Sequence, residues 1–241
     1  MKVAPTVVFL FRDSEGFASA ISDALRPNPS SSLRRLEDSF ELSLDGYGIK
    51  DHNASGSIFH FVDAEGIYKV SLVVMQHYEP PVLACAVNEV LGKIAGDNSS
   101  LISTLYVPII LGSSQLIRES KSLKSEERKA LVYGLQVGQE TQIAEALRSR
   151  TEKPPPSLRI QHETSACILH LVRVLRLPTF FLIGQTGQHS HNKSTEEFEI
   201  FHTLGEILAS ATGLHYSKDN VTWNPTKISR DSKEPWRALY G

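Results

Sequence analysis

A chain of 241 residues with 41% hydrophobic content is long enough to bury one large core. Its 25 Lys and Arg against 27 Asp and Glu leave a net charge of -2, with no basic run to track a nucleic-acid backbone. Two cysteines without metal-ligand spacing, and the lack of about 18 consecutive apolar residues, argue against a zinc module and a bilayer-spanning helix.

The apolar run at the start is broken by Pro5 and Thr6 and meets Arg12 and Asp13, too short for a signal-peptide core, so an intracellular, reduced setting is expected. Thr6 to Phe11 is a continuous run of β-formers, the pattern of a strand covered on both faces. A helix capped by Ser14 is expected next, with Phe17, Ala18, Ile21, Ala24 and Leu25 on one face, ended at Arg26-Pro27-Asn28-Pro29. The residues from Asn28 to Ser32 read as an exposed loop. Ser57 to Val62 and Tyr68 to Gln76 then form a hairpin around Asp63-Ala64-Glu65-Gly66, where glycine supplies positive φ.

Glu79-Pro80-Pro81 opens a second helix, whose Val82, Leu83, Ala86, Val87, Val90, Leu91 and Ile94 recur at helical spacing until Gly96. Leu101 to Leu111 reads as a strand with Pro108 at an edge, a bulge or its end. Lys121 to Leu131 alternates in charge and suits an exposed helix or loop, and Thr141 to Leu147 a short helix. Pro154-Pro155-Pro156 is read as part of a long loop inside one domain. From Glu163 the positions Thr164, Cys167, Ile168, Leu171, Val172 and Leu175 make one apolar helix face, followed by the buried strand Thr179 to Gly184. A last helix opens at Ser194-Thr195-Glu196-Glu197 and buries Phe198, Phe201, Leu204, Ile207, Leu208 and Ala211 before Gly213. Alternating strands and helices predict an α/β three-layer sandwich with a mostly parallel, mixed sheet over residues 1–218.

Chemistry-bearing residues are few. Cys85 and Cys167 fall in apolar helical patterns and are expected to be small buried hydrophobes. His189 and His191 sit close in a polar loop without a third ligand nearby, so no metal and no cofactor are expected. Residues 219–241 are polar, hold Pro225 and Pro235, and read as a flexible tether. It ends in Leu239-Tyr240-Gly241, an apolar side chain, a phenol and a carboxylate in the order a docking plug requires.

The passage His162-Glu163-Thr164-Ser165-Ala166-Cys167, then Arg176-Leu177-Pro178 and Phe180-Phe181-Leu182-Ile183-Gly184, resembles the late helix and strand of the nucleoside phosphorylase-like fold. The related proteasome assembly chaperone family shares them. An enzyme of that fold would need an anion-binding arginine and an acid, for which Arg12 and Glu163 are the only candidates, joined by a histidine. The chain end resembles the HbYX motif of proteasome activators and assembly chaperones. The resemblance implies a non-enzymatic chaperone that forms a heterodimer with a related chaperone and binds the proteasome α-ring. It places Leu239, Tyr240 and Gly241 in an α-subunit pocket and Trp236 and Arg237 at its rim, in the cytoplasm with the nucleus left open. Two alternatives stand beside it: a nucleoside phosphorylase or nucleosidase-like enzyme, and an α/β interaction module unrelated to the proteasome.

Overall fold

In chain order, strand β1 (Thr6–Phe11) leads into helix α1 (Phe17–Ala24) and the short strand β2 (Leu25–Arg26). Strands β3 (Arg34–Ser43), β4 (Asn53–Val62) and β5 (Tyr68–Met75) follow as a meander, then helix α2 (Val82–Ala95). Next come β6 (Thr104–Leu111), the short β7 (Leu116–Arg118), β8 (Leu131–Val137) and helix α3 (Gln142–Arg148). The remainder holds β9 (Leu158–Ile160), α4 (Glu163–Val174), β10 (Thr179–Gln185), α5 (Lys193–Thr212) and β11 (His215–Tyr216). The computed structural model describes residues 1–13, 15–96, 104–112, 115–118, 131–139, 142–156, 158–186 and 193–221.

Seven strands form one sheet in the order β3-β4-β5-β1-β6-β10-β8. The four central ones, β5, β1, β6 and β10, run parallel, while β3, β4 and β8 join by antiparallel pairing at the two sides. Side chains alternate across a strand, so β1 serves two cores at once. Val7 and Phe9 face α2 and α4, where Val87, Val90, Ile168 and Val172 meet them. Val8 and Leu10 face the other layer, with Ile21 of α1, Leu147 of α3 and Phe201 and Leu204 of α5. The architecture is the expected three-layer α/β sandwich with a mixed sheet.

Two expectations need correction. Pro108 lies inside β6, between β1 and β10, rather than at a sheet edge. The ladder from β6 to β1 stops at Tyr106, while the ladder to β10 continues to Leu111, so the missing proline N–H falls where β1 no longer pairs. Asp13 caps α1: its two carboxylate oxygens accept from the N–H groups of Phe17 at 3.0 Å and Ala18 at 3.1 Å. Ser14 itself lies outside the described residues. Cys85 and Cys167 pack against the core from neighbouring helices α2 and α4 but are partly rather than fully buried. Strands β3 and β8 were not expected at all. Most of the Lys121 to Leu131 stretch lies outside the described residues.

Candidate functional site

The carboxyl ends of parallel strands and the amino ends of the helices after them are where open α/β sheets place ligands. At that end, Arg12 follows β1, its N–H bonded to the Met75 carbonyl at 2.7 Å and its side chain exposed. Gly16, at φ 79, turns the chain so that Asp13 reaches the first turn of α1. That carboxylate is therefore occupied by helix capping. His162 precedes α4, with its Nδ1 2.7 Å from the Ser165 hydroxyl. Burial holds this imidazole below its usual range, the neighbouring His77 adds to the shift, and Glu163 opposes it. His77 in turn sits 3.1 Å from Glu79.

Two adjoining cavities of about 560 and 540 Å³ open elsewhere, along the outer side of α4 where it meets β8 and the triple-proline segment. Leu135, Leu169 and Arg173 line both. The Pro154–Pro156 stretch, to which the sequence assigns no role, walls one of them with Leu158 and Ile160. Neither is lined by Arg12 or Glu163, so the convergence that an enzyme of this fold would need is not found in these cavities.

The helix end beside the groove is built in an unusual way. The N–H of Leu177 bonds the Val172 carbonyl at 2.9 Å and that of Arg176 bonds Arg173 at 3.2 Å, the paired bonds of a Schellman motif. Its left-handed residue is Arg176, at φ 54, where glycine is the ordinary choice. The strained backbone presents a second guanidinium on the wall that Arg173 already lines. Gln136 adds a polar point: its Nε2 donates to the carbonyls of Val137 and Gln139, while its buried Oε1 has no partner among the described residues. An apolar floor and two guanidinium groups suit an apolar segment that carries a carboxylate.

Of the residues singled out from sequence, Trp236, Arg237, Leu239, Tyr240 and Gly241 lie outside the described residues, as do His189 and His191. Among the described residues, no group of three or more His, Cys, Asp or Glu side chains could hold a metal ion. The groove was missed because its parts are scattered from β8 to α4. The one signal in the sequence was the rigid Pro154–Pro156 beside a helix with arginines near its end.

The family model described as "Domain of unknown function (DUF7894)" matches residues 1–241. No curated protein matches the chain. A Mycobacterium tuberculosis protein of unknown function is similar in structure, with a TM-score of 0.51 at 11% identity over 89% of this chain and 70% of that one. A protein of unknown function from Thermoplasma acidophilum has a TM-score of 0.50 at 10% identity, covering 90% of this chain and 80% of its own. Pyrococcus furiosus PbaA, an archaeal homolog of proteasome-assembly chaperone, has a TM-score of 0.48 at 13% identity, covering 90% and 85%. The first two likenesses show a shared fold.

Proposed function

The chain belongs to the DUF7894 family, whose description names no activity, and on its own residues we propose that it is an assembly chaperone of the proteasome core particle. The observation that carries this reading is the sequence Leu239-Tyr240-Gly241. In it, Leu239 fills the apolar part of a pocket between α-subunits, Tyr240 packs its ring and hydrogen-bonds through its hydroxyl, and the Gly241 carboxylate pairs with a lysine. Trp236 and Arg237 stand at the rim. The polar, proline-bearing residues 219–241 act as the tether that lets the plug reach its pocket.

A single flexible plug binds weakly, because docking costs the tether its freedom. Pairing with a second, related chaperone raises the local concentration of the second plug once the first is seated. The heterodimer then holds the α-ring through two weak, reversible contacts, in the cytoplasm and, where core particles are assembled there, in the nucleus. The combination of α/β domain and terminal plug most resembles proteasome assembly chaperone 1. The groove along α4 offers an apolar floor with a guanidinium rim for contact with the related chaperone.

The test is affinity capture of the intact chain, of Tyr240→Ala and of a version extended by one residue after Gly241, each read by mass spectrometry. The intact chain is expected to bring down α-subunits and a related chaperone. Both variants should lose α-subunits by about tenfold or more, as the removal of about 1.4 kcal/mol of binding would do, while keeping the related chaperone. Unchanged α-subunit recovery in either variant sinks the plug mechanism, and recovery of neither partner by the intact chain sinks the chaperone reading.

A further inference from the structure

Strand β3 is the outer strand at one side of the sheet, and among the described residues it pairs with β4 alone. Its ten residues run in unbroken register from Arg34 opposite Val62 to Ser43 opposite Asn53, with no bulge to twist the edge away. An edge of this kind presents a row of N–H and C=O groups to any strand that approaches. Leu36 stands on it 44% exposed, one of few large apolar side chains among the described residues left so open. Arg34, Glu37 and Asp38 beside it are also exposed.

Charges on an edge strand ordinarily keep other strands away. The order of the charges here does the opposite for one partner. When two copies of a strand pair antiparallel about a two-fold axis normal to the sheet, facing residues must share a face, so the axis lies midway between a residue and its own copy. With the axis at Leu36, the two leucines face each other, Arg34 faces Asp38 of the other copy, and Arg35 faces Glu37. The two-fold makes each pair of opposite charges twice. Moving the axis by one residue either way sets Arg35 against Arg35 or Glu37 against Glu37, and an axis at Asp38 sets two aspartates together.

We propose that this strand is a self-pairing edge: two copies of the chain join β3 to β3 about a two-fold axis at Leu36, and one sheet runs through both subunits. Each face of the new ladder has its own chemistry. On one, the Leu36 pair closes over its β4 neighbour His60, flanked by the Arg34 and Asp38 pairs. On the other, Arg35 is already held in place, its guanidinium stacked 4.2 Å from the Phe59 ring centroid and bonded to the Ser22 carbonyl at 3.1 Å. Glu37 of the second copy meets a guanidinium whose position costs no further ordering.

Five facing residues a side make a small interface, so the dimer should form with a Kd on the order of 10 μM. The experiment is sedimentation equilibrium of the full chain, alone, over about 1 to 300 μM, a range that brackets that Kd. The expected result is a reversible monomer–dimer equilibrium. Arg34→Asp and Asp38→Arg, each of which brings like charges together, should weaken it by about tenfold or more, and the double variant should restore it. Leu36→Lys should abolish it. Thermal melts of each variant check that the subunit is folded. A chain lacking Leu239 to Gly241 should dimerise as the intact chain does, so this result and the plug mechanism stand or fall separately. A wild-type monomer throughout the range, a dimer that persists in Leu36→Lys, or a double variant that fails to recover would overturn the proposal.

Discussion

Gly56 shows how one residue's missing side chain shapes a core. It lies in β4 between Phe40 of β3 and Met75 of β5. A Cβ at this position would collide with the Val74 backbone carbonyl and stand 2.8 Å from two carbons of the Phe40 ring. The ring could turn, but the carbonyl belongs to the sheet and cannot. Gly56→Ala is therefore expected to destabilise the fold by about 2–3 kcal/mol, a fall in Tm of roughly 5–10 °C for a chain of this size. A melt unchanged from wild type would mean that β4 shifts freely. Nothing in the sequence marks this glycine apart from Gly66, whose turn is legible from Asp63 onward. Gly56 sits mid-strand, and only the neighbouring strands reveal the close approach.

At the scale of elements, α1 depends on a side chain three residues before its N-cap Gly16. The left-handed turn at Gly16 carries the chain so that Asp13 satisfies two N–H groups at the start of the helix. Asp13→Ala should cost about 1–2 kcal/mol and Asp13→Asn much less, measured by urea denaturation. Equal losses in the two variants would argue against a capping role. The central strands were legible because they are covered on both faces and their apolar runs are continuous, as in β1, β5 and β10, and α2 because its buried residues recur at helical spacing. Strands β3 and β8 were not. Arg34 to Ser43 is mostly exposed, with Phe40 as its one buried side chain, so its residues carry no alternating core signal. Its pairing with β4 is what makes it a strand.

The whole molecule carries a pH response that no single residue sets. His60, His162 and His202 are each held below the usual imidazole range, in every case chiefly by burial. Asp38 opposes the shift at His60 and Lys2 adds to it; at His202, Lys218 adds and Glu206 opposes. His60 is locked in place by a 2.9 Å bond to Ser71 and a stack on Tyr68 at 4.4 Å. Below a pH of about 6.5 the unfolded chain binds protons that these folded imidazoles resist, so stability is complete above that value and declines as pH falls. The Tm at pH 5.5 should lie roughly 2–5 °C below that at pH 7.5, with a shallower slope in His60→Gln. A flat profile would show that these rings titrate alike in both states.

By itself the sequence determined the α/β layering and the order of the covered elements, because each is written in contiguous residues whose period or order is the signal. Tertiary structure decided the rest. It put Pro108 inside the sheet at the point where β1 stops pairing, gave the cap of α1 to Asp13, and drew Leu135, Pro154, Leu169 and Arg173 from separate elements into one groove. It also left β3 as an outer edge with Leu36 open to solvent. Such features depend on which distant strands become neighbours, and that is settled by burying two cores at once rather than by any local run of residues.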